Sequence, residues 1–178
     1  MQRDDQSGRA EWMQSALHDY EGPLLRYATR LTGNLERARD VVQDTFLRLC
    51  REQPERLNSH LAEWLFTVCR NRAIDVQRKE SRLSPLTDAD LATRPSAEPS
   101  PATVAADREA ETDVFQALDK LPANQQEVIR LKFQNGLSYR EISRVTSLSE
   151  SNVGFLIHTG LKTLRARIRA LEGARHEN

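Results

Sequence analysis

The chain has 178 residues, of which 38% are hydrophobic and 29% charged, and its formal net charge is zero. This length suits one domain or two small ones. No apolar run approaches the ~20 residues that a membrane-spanning helix needs, and the N-terminal stretch MQRDDQSGRAEWM lacks the apolar segment of a signal peptide. The two cysteines, Cys50 and Cys69, belong to no CxxC motif. We therefore expect a reduced cytoplasmic protein without a disulfide framework, a cysteine-rich metal site or direct membrane insertion.

The neutral total conceals an uneven distribution of charge. Residues 15–82 carry 12 basic and 10 acidic side chains, residues 83–113 carry 2 and 7, and residues 114–178 carry 10 and 6. Two mildly basic blocks thus flank an acidic connector, so the zero total does not exclude nucleic-acid binding by either block.

The first block has the pattern of amphipathic helices. Its apolar residues recur at spacings of three and four, and no stretch alternates with period two. Gly33 is a suitable C-cap, Asn34 can cap a second helix, and Asn58 or Ser59 can cap a third helix from about Leu61 to Lys79. Three such helices can bury their apolar stripes only against one another, which predicts a small helical bundle.

The connector, from Leu83 to about Asp107, contains four prolines and many small polar residues but no aromatic side chain. This composition cannot support a packed core, so we predict a linker. The linker could be a disordered joint or could follow a groove on a partner.

The last block is also helical by pattern. It predicts a helix over Ala123–Gln134, and then a short helix that begins with the capping box Ser138 and Glu141. A break at Thr146–Leu148 follows, after which Ser149 caps a longer helix. Two helices joined by a short turn, with a third helix before them, predict a helix-turn-helix, although such patterns also arise by chance in all-α proteins.

Two helix faces carry side chains suited to nucleic acid, and each could equally be an ordinary solvated face. Asn and Ser can hydrogen-bond base edges, and Lys and Arg can neutralise phosphates. On the second helix of the helix-turn-helix and beside it, the candidates are Ser151, Asn152, Gly154, Phe155, His158, Thr159 and Lys162, with Lys132, Arg140 and Arg165 on phosphates.

The third helix of the first block carries the other candidate face. Of its two aromatic residues, we expect Trp64 to join the core and Phe66 to lie nearer the surface, where it could stack on an unpaired base. The polar and basic candidates that follow it are Arg70, Asn71, Ile74, Arg78 and Lys79.

No catalytic motif is present. The sequence lacks GxSxG, a phosphate-binding loop, HExxH and paired carboxylates in an apolar context, and its four histidines lie in separate segments. We therefore expect no enzyme activity, no cofactor, no metal site and no small-molecule substrate.

Six stretches of the sequence resemble bacterial RNA polymerase sigma factors of the extracytoplasmic-function (ECF) type. Their region 2 is similar to LTGN (31–34), ARDVVQDTFLRL (38–49) and EWLFTVCRNRAIDVQRK (63–79), and their region 4 is similar to LPANQQEVIRLKF (121–133), GLSYREIS (136–143) and LKTLRARI (161–168). The resemblance implies an all-α fold with two small helical domains: a region 2-like bundle (10–82), a linker (83–108), a region 4-like helix-turn-helix domain (109–172) and a tail (173–178).

The same resemblance implies the function and the contacts. Such a factor binds core RNA polymerase and directs promoter recognition, melting and transcription initiation, and it is commonly held inactive by an anti-sigma factor. Polymerase binding would fall on Asp40, Gln43, Asp44, Phe46 and Leu47. The −10 element would be read by the helix of Phe66, Arg70, Asn71, Ile74, Arg78 and Lys79, with the loop Glu52–His60 holding a flipped base. The helix Glu150–Leu161 would enter the major groove at −35, and the linker would run through the RNA-exit path of the polymerase.

The chain departs from the family within its recognition helix. Members commonly carry a basic residue and a serine after the valine of this helix, and Arg-Ala one turn later. Here these positions are Gly154, Phe155, Thr159 and Gly160, while Ser143 and Ser147 replace a small alanine and the turn glycine. We therefore expect an atypical −35 sequence.

Two other function classes remain open from the residues. A stand-alone helix-turn-helix regulator would explain the last block but not the stretch ARDVVQDTF, and it would bind DNA without polymerase. A helical adaptor that binds only proteins would have no use for the basic C-terminal helix.

Overall fold

The computed structural model describes the backbone of residues 2–57, 59–83 and 114–176 and the side chains of residues 8–57, 59–80 and 114–170. Within these residues every regular element is a helix, so the predicted all-α class is confirmed. The chain divides into two compact units, Met1–Pro95 and Ser96–Asn178. The predicted linker lies almost wholly outside the described residues.

The N-terminal unit consists of α1 (Gln2–Thr32), α2 (Leu35–Leu49), the single turn α3 (Pro54–Leu57) and α4 (Leu61–Leu83). The three long helices pack pairwise against one another, as the apolar stripes predicted. Between α1 and α4, the rings of Tyr27 and Phe66 make an edge-to-face contact with centroids 5.3 Å apart. The core of this bundle consists of Ala16, Leu24, Tyr27, Ala28, Ala38, Val41, Val42, Phe46, Leu49, Leu57, Leu65, Phe66, Cys69 and Ala73.

The turn between α1 and α2 needs only Gly33 and Asn34. Gly33 has φ 65°, which glycine adopts without strain, and its N–H donates to the carbonyl of Thr29 at 2.8 Å. The Asn34 side chain accepts from the N–H of Arg37 at 3.0 Å, which caps α2. Both predicted caps are confirmed.

One local prediction in this unit was wrong. Ser59 does not cap α4: the helix begins at Leu61, the carbonyl of His60 accepts from the N–H of Trp64, and the Ser59 hydroxyl lies 3.2 Å from His60 Nδ1. The alternative cap, Asn58, lies outside the described residues. The first helix begins at Gln2 and continues through Pro23.

The C-terminal unit contains α5 (114–119), α6 (Ala123–Phe133), α7 (Tyr139–Thr146) and α8 (Glu150–His176). The last three helices pack against one another, and α7 and α8 form the predicted helix-turn-helix. One apolar cluster joins α5, α6 and α8 through Ala117, Leu118, Leu121, Ile129 and Leu164, with Leu161 and Ile168 at its edge. We expected a tail from residue 173, but the backbone stays helical to His176.

The predicted caps of the helix-turn-helix are confirmed. The Ser138 hydroxyl accepts from the N–H of Glu141 at 3.3 Å, and the carboxylate of Glu141 accepts from the N–H of Ser138 at 2.7 Å. Ser149 caps α8 by accepting from the N–H of Asn152 at 3.2 Å. Ser147, between the helices, has φ 60°, a conformation that favours glycine. The hydroxyl of Ser143 donates to the carbonyl of Leu148 at 2.5 Å and thereby braces this turn.

Candidate nucleic-acid and protein interfaces

The outer face of α2 presents three of the five residues for which we predicted polymerase binding. Asp40, Gln43 and Leu47 are exposed and fall on one side of the helix at spacings of three and four. Leu47 is 54% exposed, which is unusual for a leucine in the middle of a helical bundle. Together the apolar side chain of Leu47, the amide of Gln43 and the carboxylate of Asp40 can contact a partner through both burial and hydrogen bonds.

Phe46 does not belong to this outer face. It is 8% exposed and forms part of the core, because α1 packs against α2 on the side that carries it. Phe46 therefore does not share the exposed face of Asp40, Gln43 and Leu47, and its contact with polymerase stays a prediction. Together with neighbours from both helices, its ring lines a groove of about 470 Å³ between α1 and α2: Met13, Leu17, Glu21, Leu25, Arg39, Val42, Gln43, Leu47 and Cys50.

Asp44, the fifth residue, pairs within the protein. Its carboxylate lies 2.6 Å from the Nε of Arg72 on α4, and both side chains are partly exposed. This ion pair joins the helix predicted to bind polymerase to the helix predicted to read DNA.

The exposed face of α4 is polar and basic, as predicted. Asn71, Arg78 and Lys79 are exposed, and Arg70 and Ile74 are half-buried beside them. At 3.6 residues per turn Arg70, Asn71, Ile74 and Arg78 fall within about 100° of one another around the helix, so a single extended ligand could contact these four, whereas Lys79 lies farther round.

The two aromatic residues of α4 are exchanged relative to our expectation. Phe66 is 1% exposed and packs on Tyr27, whereas Trp64 is half-buried and reaches the surface. Since α1 and α2 both pack on α4, its buried face is wider than one apolar stripe and includes Phe66. The prediction that Phe66 lies near the surface, where it could stack on a base, was therefore wrong.

A contact that we did not predict holds the start of the loop between α2 and α4. The guanidinium of Arg9 donates to the carbonyls of Cys50, at 2.6 Å, and Glu52, at 2.9 Å. Cys50 is the C-cap of α2 and Glu52 lies two residues farther along, so Arg9 contacts the chain where it leaves the helix. Sequence spacing gives no signal for such a contact, because about 40 residues separate Arg9 from its acceptors.

In the C-terminal unit, α8 has a fully apolar inner face and a polar outer face. The inner face buries Val153, Leu156 and Ile157. Of the candidates for DNA binding, Gly154 and Thr159 are half-buried, and the Thr159 hydroxyl donates to the carbonyl of Phe155 at 2.8 Å. The other candidates on this helix are exposed: Ser151, Asn152, Phe155, His158, Lys162 and Arg165.

The candidates outside α8 lie at the start of α7 and the end of α6. Arg140 is exposed, and the ammonium of Lys132 lies 5.5 Å from the ring centroid of Tyr139, a cation–π contact. The Tyr139 ring also borders Gly154, since a Cβ at Gly154 would lie 3.6 Å from it. Lys132 thus contacts the residue, Tyr139, that lies beside the N-terminal half of α8, and Arg140 directly follows Tyr139 in the chain.

Gly160 explains how closely α8 approaches α6. A Cβ at this position would lie 2.6 Å from the δ-methyl of Ile129. The absence of a side chain allows the two helices to pack at short range.

Within the described part of the chain, no cluster of three or more His, Cys, Asp or Glu side chains could hold a metal ion. No helix in that part is long and apolar enough to cross a membrane.

Comparison with protein families gives two matches that coincide with the two units. Residues 17–83 match the model of Sigma-70 region 2, and residues 112–164 match that of Sigma-70 region 4. The first match runs from the second half of α1 to the end of α4. The second includes α6, α7 and the first half of α8.

Comparison with individual proteins extends the likeness over nearly the whole chain. The ECF RNA polymerase sigma factor SigL of Mycobacterium tuberculosis (strain H37Rv) is 31% identical over 169 residues, which cover 93% of each chain. The chain belongs to the ECF family of RNA polymerase sigma factors. It is an alternative sigma factor, a DNA-binding transcription initiation factor that works with RNA polymerase.

Two further sigma factors support this assignment. EcfG of Rhodopseudomonas palustris (strain TIE-1) is 33% identical over 81% of this chain and 78% of its own. The structure of RpoE from Bartonella quintana, solved in complex with the anti-sigma factor NepR, superposes with a TM-score of 0.67 at 26% identity and covers 88% of this sigma factor and 96% of that chain.

Proposed function

We propose that this sigma factor divides promoter recognition between its two units. The region 2-like domain, residues 10–82, would bind core polymerase and the −10 element, and the region 4-like domain, residues 109–172, would bind the −35 element. The observation that carries this proposal is the outer face of α8, where six exposed residues suited to DNA lie opposite a fully apolar inner face.

Contact with polymerase is assigned to the outer face of α2. Asp40, Gln43 and Leu47 supply its exposed side chains. Asp44 contributes by holding α2 to α4 through Arg72, so its loss would disturb polymerase and −10 binding together.

The −10 element is assigned to α4. Arg70, Arg78 and Lys79 would neutralise phosphates while Asn71 and Ile74 contact bases. The loop Glu52–His60 would hold the flipped base, with Trp64 rather than Phe66 as the aromatic side chain that reaches the surface. Unstacking costs a few kcal/mol per base, so binding energy alone can open the promoter, and the protein acts without being an enzyme.

The −35 element is assigned to α8 and its neighbours. Ser151, Asn152 and His158 would hydrogen-bond base edges, and Phe155 would make apolar contact with them. The four cations would fix the register on phosphates: Lys132, Arg140, Lys162 and Arg165.

The proposed setting follows from the partner. Core RNA polymerase acts in the cytoplasm, so we place this sigma factor there, with the acidic linker in the RNA-exit path. Because RpoE of B. quintana binds an anti-sigma factor, we propose that an anti-sigma factor also controls this protein.

The deciding experiment is run-off transcription with purified core polymerase on a promoter library, with and without the protein. We expect promoter-specific transcripts only when the protein is present. If no transcripts appeared but the protein alone shifted DNA in a gel, it would be a stand-alone regulator. If it gave neither transcripts nor a gel shift, it would be an adaptor.

Variants then test the division of contacts. Asn152→Ala or His158→Ala should change the −35 preference and leave the affinity for core polymerase unchanged, whereas Leu47→Ala should weaken that affinity. Lys120→Ala, which removes an exposed cation outside α7 and α8, is the matched control and should change neither. Loss of polymerase binding by the Asn152 or His158 variant would contradict the assignment.

A further inference from the structure

Phe155 is the most exposed large hydrophobic side chain in the part of the chain described, at 64%. It lies at the centre of the outer face of α8, with Ser151 and Asn152 one turn before it and His158 one turn after it, all exposed. The core of the unit does not use the ring, because the inner face of α8 is filled by Val153, Leu156 and Ile157.

The helix that carries Phe155 is held firmly at this position. Immediately before it, Gly154 packs beside the ring of Tyr139, and five residues after it Gly160 packs against Ile129. The carbonyl of Phe155 accepts the hydroxyl of Thr159 in addition to its place in the helix. The backbone that carries the ring therefore has little conformational freedom to lose on binding.

The surroundings of the ring favour nucleic acid over a protein as its ligand. Lys162 follows Phe155 by seven residues on the same face, and Arg140 and Lys132 lie on the two helices before α8. Between Ser151 and Leu171 the chain has four cations and no acidic side chain. An apolar ring among cations and small polar side chains matches the one apolar group in the major groove, the C5-methyl of thymine.

We propose that Phe155 selects A·T pairs in the −35 element by contact with the thymine methyl group. Each A·T pair presents one such methyl in the major groove, whereas unmethylated G·C pairs present none. The inference rests on the proposed binding of α8 at −35, and it names the thymine methyl as the chemical group that α8 recognises there. It also accounts for an aromatic residue where other family members commonly carry a serine.

The test uses the full-length sigma factor with core polymerase on a promoter selected from the library. In that promoter each thymidine of the −35 element is replaced, one at a time, by deoxyuridine, which pairs identically and lacks only the methyl. At one or more positions we expect initiation by the wild-type protein to fall about fourfold, the effect of one buried methyl group.

Variants assign the effect to the ring. Phe155→Ala should initiate equally on thymidine and deoxyuridine templates, and Phe155→Leu, which keeps an apolar side chain, should retain part of the discrimination. Phe133→Ala is the matched control, because Phe133 is also exposed, at 62%, but lies at the end of α6. It should discriminate like the wild type.

The inference is overturned if wild type and Phe155→Ala respond equally to deoxyuridine, or if no position responds at all while promoter-specific transcription persists. Absence of promoter-specific transcription by the wild type would overturn the proposed function together with this inference.

Discussion

The two cysteines occupy opposite environments within the N-terminal unit. Cys50 is exposed at the end of α2, whereas Cys69 is buried in the middle of α4. Burial raises the pKa of the Cys69 thiol to about 12, although a hydrogen bond with Thr45 opposes the shift. Since the thiolate is the reactive form, burial both shields Cys69 and keeps it protonated.

We predict that a thiol reagent at mildly alkaline pH modifies Cys50 in the native protein and leaves Cys69 unmodified. Titration with a chromogenic disulfide should therefore count one thiol in buffer and two in denaturant. Cys50→Ser should reduce the native count to zero. If two thiols of the wild-type protein reacted in buffer, the bundle would have to open at α4.

At the scale of single residues, four predicted helix caps are confirmed and that at Ser59 is not, while the predicted positions of Trp64 and Phe66 are both wrong. Gly33, Asn34, Ser138 and Ser149 cap helices as predicted, because a cap depends on neighbours within four residues. Whether Phe66 is buried depends on two helices that arrive from elsewhere in the chain, and the apolar periodicity of one helix does not contain that information.

At the scale of elements, two glycines of the C-terminal unit respond to the same substitution in opposite ways. Gly154 lies inside α8, where a Cβ would meet the Tyr139 ring at an ordinary distance of 3.6 Å. Gly136 follows α6 with φ 71°, a conformation that other residues adopt only with strain.

Gly154→Ala should accordingly stabilise the C-terminal unit by up to ~1 kcal/mol, since alanine is the better helix former. Gly136→Ala should destabilise it by ~1 kcal/mol. Urea unfolding followed by circular dichroism measures both changes in the full-length protein. If both variants changed the free energy of unfolding in the same direction, the backbone geometry described for one of the two sites would be contradicted.

The capping box of α7 should make stability depend on pH. The hydrogen bonds from Ser138 hold the pKa of Glu141 below its ordinary value of 4.5. A carboxyl whose pKa is lower in the folded state stabilises the fold above its unfolded pKa, and the stabilisation is lost as the pH falls through the folded pKa.

We expect the difference in Tm between the wild type and Glu141→Gln to be constant near neutral pH and to shrink as the pH is lowered below 4.5. Ser138→Ala, which removes the hydroxyl of the box but keeps the backbone N–H that donates to Glu141, should cost ~1 kcal/mol at neutral pH and lose only part of the pH dependence of stability. A Tm difference that stays constant into the acid range would show that Glu141 does not stabilise α7 as a carboxylate.

The helices of both units were predictable because apolar spacing and caps are local signals. The exposed faces of α4 and α8 were predictable for the same reason, since a face opposite an apolar stripe is solvated. The contacts that cross between helices were not, among them Arg9 with the end of α2 and Asp44 with Arg72.

For the whole molecule, the zero net charge is the sum of basic units and an acidic connector. Long-range electrostatics respond to the total, so the connector should weaken nonspecific attraction of the free protein to DNA. Strong binding to DNA would then be confined to the holoenzyme, in which polymerase supplies further contacts.

Replacing Asp88, Asp90, Glu98 and Asp107 by their amides should raise the affinity of the free protein for nonspecific duplex DNA several-fold at about 50 mM salt and much less at about 200 mM. Fluorescence anisotropy with a labelled duplex measures this. The control exchanges the neutral connector residues Ser84, Thr87, Ser96 and Ser100 for alanine and should have no effect. If the wild type and the four-amide variant bound with identical affinities at low salt, the connector charge would have no effect on nonspecific DNA binding.

The length of α8 has a mechanical consequence. The helix runs without interruption from Glu150 to His176, 27 residues or roughly 40 Å. The residues proposed to contact DNA occupy its first half, and the remaining turns continue the helix beyond the residues that match region 4. Because a helix is stiff over this distance, a partner bound at its far end would set the angle of the end proposed to enter the major groove. Promoter choice could then be adjusted from a site that touches no base.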